Sequence, residues 1–176
     1  MITTVESAII LAVPEAESLV GELRLEGDSS AADGVPAHVT LLYPFADDPD
    51  DGIVEELRFF FAGVDAFHLT FTEVGVWPEV VYLAMEEAQD VHGLIAALAR
   101  RWPAYPPYAG AFDVDDVIPH LTVVDTPDPE LRTRAAEQLA GGLPIRSAAS
   151  EASLWVHEPG GWTMQAAFPL ALHELG

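Results

Sequence analysis

Cysteine is absent from the 176-residue chain. Disulfides, thiolate metal sites and cysteine nucleophiles are therefore excluded. Lysine is absent too. All seven basic residues are arginines, set against 29 acidic residues, for a net charge of −22 at pH 7. Such a balance opposes binding to a long polyanion, which needs many basic contacts to phosphates. It does not oppose a small phosphate ligand held by a few groups, and the plainest use of the acidity is solubility. Long apolar runs are also missing. The start, "MITTVESAIILAVPEAE", lacks a basic n-region, and no later stretch is long enough to cross a bilayer. A soluble, cytoplasmic protein without membrane association is expected. Apolar residues nevertheless make up half of the chain, ample for a sizeable core. The length predicts one domain, residues 1–176, of two lobes.

The periodicities alternate between strand and helix. "VESAIILAV" reads as a buried strand stopped by Pro14. "PEAESLVGELRL" puts Ala16, Leu19, Val20 and Leu23 at helical spacing, and "EGDSSAADGVPA" reads as a polar loop leading to the strand "HVTLLYPF". A helix follows the acidic turn "ADDPDD", with Ile53, Leu57, Phe60 and Phe61 on one face and Gly63 at its end. "AFHLTFTEVGVW" and "VVYLAM" read as strands joined at Pro78-Glu79. "AQDVHGLIAALARRWP" is a helix with Val91, Leu94, Ile95 and Leu98 as its apolar stripe and His92 beside it. A Pro/Tyr-rich loop leads to the strand "IPHLTVVD", then a helix capped by Asp128 with Pro129 in its first turn. "IRSAASEASLWV" and "WTMQAAFPLAL" finish as a hairpin.

The order repeats imperfectly: strand, helix, His-x-Thr strand, helix, strand hairpin. The second half's first strand is its weakest element, and "VVYLAM" is a candidate to serve both halves. His38 and Thr40 match His120 and Thr122 at an offset of 82 residues, while Glu73 and Trp77 match Glu151 and Trp155 at an offset of 78. The predicted class is α+β: a bilobal pseudo-two-fold duplication, with mostly antiparallel sheets, outer helices and a central cleft.

Three His-x-Thr triplets occur where chance would give about 0.3. Residues i and i+2 share a strand face, so each triplet presents imidazole and hydroxyl side by side. His38–Thr40 and His120–Thr122 open strands that are apolar on both faces beyond the threonine, each entered from a proline (Pro36 and Pro119). His68 differs. Phe67, Leu69 and Phe71 alternate strictly with His68, Thr70 and Thr72, the pattern of a strand with one wet face. The repeat also aligns His68 with Arg146. His68 is therefore read as a surface residue, and the other two triplets as a pair.

Two imidazoles across a small anion suit phosphodiester chemistry. One activates the attacking water or hydroxyl and the other protonates the leaving oxygen. Histidine does both near neutral pH. Hydroxyls and backbone amides can hold the remaining oxygens. A metal site is disfavoured on ligand count, for there is no His-Glu-x-x-His pattern and no carboxylate that completes a triad after either triplet.

The paired motifs "AHVTLLYPF" and "PHLTVVDT", with "VPEAE", "GVPAHVTLLYPF" and "YPPYAGAFDVDDVIPHLTV" around them, resemble the 2H phosphoesterase superfamily. The closest branch is the bacterial 2′-5′ RNA ligase-like proteins, and the resemblance covers nearly the whole chain. It implies a bilobal α+β fold with its site between the lobes, and no cofactor or metal. It implies that His38 and His120 are the acid/base pair and that Thr40 and Thr122 bind phosphate. Tyr43 falls at a position commonly aromatic in the family, which makes it a candidate for the substrate pocket with packing as its main role. The family's activities are metal-independent hydrolysis of 2′,3′-cyclic or 2′,5′-linked phosphodiesters and reversible 2′-5′ joining of RNA ends. This chain departs in charge: acids flank both motifs, at Asp47, Asp48, Asp50 and Asp51 and at Asp113, Asp115 and Asp116. A small cyclic phosphodiester or a nucleotide or RNA end is the expected partner, and long nucleic acid is disfavoured. Carboxylates near the cleft would favour a protonated imidazole. The alternative is a non-catalytic module that binds a nucleotide or another phosphorylated ligand in the same cleft. A third reading is an interaction domain with a vestigial site.

Overall fold

Every pairing between named strands is antiparallel, and the strands divide into two sheets of four. The computed structural model describes residues 5–172. In chain order the elements are β1 (Glu6–Ala12), α1 (Glu17–Gly27), the short α2 (Ser29–Ala32), β2 (His38–Leu42), α3 (Asp51–Ala62), β3 (Phe67–Trp77), β4 (Val80–Met85), α4 (Gln89–Arg101), β5 (His120–Asp125), α5 (Pro129–Ala140), β6 (Ile145–Ala149), β7 (Glu151–Glu158) and β8 (Gly161–Pro169). One sheet has the order β2-β1-β7-β8 and the other β5-β4-β3-β6. The α+β class, the duplication and the outer helices are as the sequence predicts.

Local signals set the helix ends. Asp50 accepts from the Ile53 amide and starts α3. Asp128 accepts from the amides of Glu130 and Leu131 and starts α5. Each cap satisfies helix donors that have no partner in the helix itself. Pro14 opens a 3-10 turn, Pro14–Ala16, that runs into α1 instead of starting an α-helix directly. The polar loop after α1 contains the single turn of α2, started by Asp28 accepting from the Ser30 amide.

The two sheets trade elements. Unit one (β1, α1, β2, α3, β3) corresponds to unit two (β4, α4, β5, α5, then β7 after the edge strand β6). The last strand of each unit joins the other unit's sheet: β3 pairs with β4, and β7 pairs with β1. The helices cross in the same way, α1 packing on β5 and α4 on β2. "VVYLAM", β4, does serve both halves: it closes the hairpin with β3 and pairs with β5 as the second unit's first strand. The stretch "IRSAASEASLWV" is not one strand. It breaks at Ser150, with β6 pairing to β3 in one sheet and β7 to β1 in the other. No glycine or proline marks the break, because it arises from the change of pairing partner.

One apolar core joins both halves. It holds Leu41 and Val39 of β2, Leu121 and Val123 of β5, Leu57 and Phe61 of α3, and Leu94, Ile95 and Leu98 of α4. Burying such side chains contributes about 1.5–3 kcal/mol each. No helix among the described residues is long and apolar enough to cross a membrane.

Candidate active site

β2 and β5 pack against each other where the two sheets meet. Their burial patterns are the same over the first five residues. His38 and Thr40 are half-buried while Val39 and Leu41 are buried, and His120 and Thr122 are half-buried while Leu121 and Val123 are buried. The period of two thus turns both His-Thr pairs away from the shared core, which takes the alternate residues.

The two imidazoles are held alike. His38 Nδ1 lies 2.8 Å from the Pro36 carbonyl, and His120 Nδ1 lies 2.8 Å from the Ile118 carbonyl. A carbonyl can only accept, so Nδ1 carries the hydrogen in both rings. Nε2 is then the nitrogen that takes or gives a proton. Burial lowers the pKa of both rings below the ordinary 6.5, and the carbonyl bonds oppose this in part. Arg24 and His120 lower His38 further, while Asp28 raises it. The flanking acids do not reverse the direction: His120 also sits below 6.5, because loss of water costs its charged form more than its surroundings return.

Each His-Thr pair lines a hollow of its own. One, of about 170 Å³, is lined by His38 and Thr40 with Ser30, Tyr43, Trp155 and Trp162 among its walls. Tyr43 donates to Glu6 Oε2 at 2.8 Å and meets Trp162 edge-on, 6.2 Å between centroids. Burial and that carboxylate push the phenol up to about 12, so it stays a neutral wall. Behind this hollow lies Arg24, 2% exposed. Its guanidinium donates to Asp28, to the Val35 carbonyl and to Ser30 Oγ. The second hollow, of about 380 Å³, is lined by His120 and Thr122 with Trp77, Tyr108, Phe112, Asp116 and Asp125. Here His120 stands edge-on to Trp77 at 4.7 Å and to Tyr82 at 5.4 Å. Tyr82 can lie there because residue 75 is glycine. A Cβ at that position would fall 2.0 Å from the Tyr82 ring.

Sequence reasoning missed Arg24, Tyr108, Phe112, Trp155 and Trp162. The match of Trp77 to Trp155 was the one available signal, and the strands bear it out. Trp77 stands two residues from Gly75, which pairs with Tyr82, and Trp155 stands two residues from Ser153, which pairs with Ile10. His68 lies exposed on β3 and lines neither hollow. His92 reaches from α4 to the Val114 carbonyl at 3.0 Å. Among the described residues, no group of three or more His, Asp or Glu is placed to hold a metal ion.

Two four-stranded antiparallel sheets meeting at equivalent His-x-Thr strands define the 2H phosphoesterase class. The chain belongs to the 2′-5′ RNA ligase superfamily, which matches residues 12–161. Among solved structures it is similar to LigT of E. coli complexed with 3′-AMP, 18% identical over 96% of this chain and 99% of that one, with a TM-score of 0.61. LigT complexed with NADP+ is 19% identical over 96% and 98%, with a TM-score of 0.59. TT0787 of Thermus thermophilus is 15% identical over 94% and 97%, with a TM-score of 0.54. At these identities the likeness is one of fold. No curated protein matches the chain significantly.

Proposed function

We propose that the chain is a metal-independent phosphodiesterase acting on 2′,3′-cyclic or 2′,5′-linked phosphodiesters of small nucleotides or RNA ends. The observation that carries this is the matched pair of imidazoles, each with Nδ1 tied to the carbonyl two residues before it. Two rings with Nε2 free, on strands that pack against each other, are suited to act as base and acid on a single phosphorus. The neutral Nε2 takes the proton of the attacking water as its oxygen bonds to phosphorus. The phosphorus–oxygen bond to the leaving alkoxide breaks, and the protonated Nε2 of the other ring gives its proton to that oxygen. The pair ends with its proton moved from one ring to the other, and solvent resets it. In the reverse direction the same exchange joins ends. Thr40 and Thr122, beside the imidazoles on the same faces, are suited to donate to the non-bridging oxygens. Membership in the 2′-5′ RNA ligase superfamily supports the reaction class, and the 3′-AMP and NADP+ complexes of LigT support a nucleotide-sized ligand.

The test is a screen of 2′,3′-cyclic nucleotides and 2′,5′-linked dinucleotides in EDTA. Wild type is expected to turn over at least one of them. His38→Ala and His120→Ala are each expected to lose about 10²–10⁴-fold in rate, the usual worth of a positioned acid or base, whereas His68→Ala retains activity. Full activity in His120→Ala overturns the assignment. Binding without turnover across the panel would leave the cleft a ligand-binding module.

A further inference from the structure

The two hollows differ in charge. The walls beside His38 include no carboxylate, and the buried Arg24 behind them is paired with Asp28. The larger hollow beside His120 also has three aromatic rings (Trp77, Tyr108 and Phe112) but adds two carboxylates (Asp116 and Asp125). The carboxylates converge from separate elements, Asp116 from the 3-10 turn Val114–Asp116 and Asp125 from the end of β5. None of the four ion pairs among the described residues neutralises either one. The Tyr108 and Phe112 rings meet at 84° with centroids 6.0 Å apart, which makes a corner. Phe112 is 57% exposed, so that corner is open to a ligand.

Aromatic faces carry negative potential and attract ammonium groups, most strongly where water is partly excluded. Two unpaired carboxylates add formal charge of the same sign. This lining repels a second phosphate and favours a cation. The whole molecule acts in the same direction, because a net charge of −22 depletes polyanions around the protein and concentrates cations.

We propose that the hollow beside His120 binds an ammonium group, and that the substrates this cleft takes best are zwitterionic phosphodiesters with a quaternary or primary ammonium a few bonds from phosphorus. Since His120 and Thr122 line the hollow, the ammonium belongs to the alcohol on the His120 side of the phosphate. The substrate class rests on the phosphodiesterase reading, while the cation site does not.

The experiment therefore measures binding first. Choline chloride and its neutral isostere 3,3-dimethyl-1-butanol are titrated calorimetrically into the full chain. Choline is expected to bind at least about tenfold more tightly than the isostere, the margin of a partly desolvated cation–π site. The double variant Asp116→Asn/Asp125→Asn is expected to lose at least about tenfold for choline with an unchanged melting temperature. Equal binding of the isostere, no choline binding, or an unaffected double variant overturns the cation site, whatever the chain does to cyclic nucleotides. Turnover is then compared between glycerophosphocholine and glycerophosphoglycerol. A preference of at least tenfold for the choline ester is expected. Choline binding without that preference keeps the site and overturns the substrate class. Discrimination of cytidine from uridine 2′,3′-cyclic phosphate without choline binding would assign the hollow to a neutral amine donor and also overturn the proposal.

Discussion

His38 and His120 are each pulled two ways. Burial favours the neutral ring, and the carbonyl held by Nδ1 favours the charged one. Burial wins at both, so both titrate below 6.5. The sign of the pH dependence follows. Acid/base work needs one ring neutral and one protonated, and for two interacting groups that form is most populated between the two macroscopic pKa values. With both rings lowered, this window lies on the acid side of 6.5. A plot of kcat/KM against pH, which reports the free enzyme, is therefore expected to be bell-shaped with its maximum below 6.5. A bound phosphate anion raises both values, so the kcat maximum is expected at higher pH than that of kcat/KM. A kcat/KM maximum above 7.5 would contradict the burial-dominated assignment. These two histidines were legible in the sequence because their motif recurs at one offset. Arg24 was not, for nothing in "GELRLEG" tells a buried arginine from a solvated one. Its burial comes from Asp28, Ser30 and the Val35 carbonyl closing around it.

The reciprocal helix packing ties each motif strand to the other half. α1 belongs to the unit of His38 yet rests on β5, which carries His120. The approach is close enough that a Cβ on Gly27 would sit 2.8 Å from Val124. Gly27→Ala is thus expected to push the C-terminal end of α1 off β5. Overpacking of this kind costs about 1–3 kcal/mol, read as a lowered midpoint in urea unfolding. Since Val124 lies two residues beyond Thr122, turnover is expected to fall with stability. An unchanged midpoint would mean that the helix end adapts freely. The four long helices were readable from their apolar stripes, α3 and α5 also from their Asp caps, and the strands from alternation, whereas the single turn of α2 was not. The break at Ser150 was not, because β6 and β7 are each ordinary strands and differ only in which sheet they join.

The charge of the whole molecule bears on which substrates reach the cleft. At −22, the protein repels an anionic substrate over roughly the Debye length, about 10 Å at 0.1 M salt. Raising salt from about 20 to about 200 mM is expected to increase kcat/KM for a 2′,3′-cyclic nucleotide, the opposite of the usual trend for proteins that bind nucleic acid. A substrate with no net charge is expected to respond little. A fall in kcat/KM with salt for the nucleotide would show that local groups at the site outweigh the global field.

The division between what the residues state and what folding adds follows the range of the interactions. Periodicity, caps and the paired triplets are local, so the α+β class, the duplication and the pairing of His38 with His120 stand in the bare sequence. The exposure of His68 was also legible there, since Phe67, Leu69 and Phe71 mark a strand with a wet face. The exchange of β3 and β7 between sheets depends on contacts between distant residues, such as Ala8 with Trp155. So does the gathering of Trp77, Tyr108, Phe112, Asp116 and Asp125 into one hollow. Those five residues come from two strands and a loop, spread over 49 positions of the chain. No local rule links them, and only the packing of β5 beside its neighbours puts two carboxylates in the hollow beside His120 while the walls beside His38 have none.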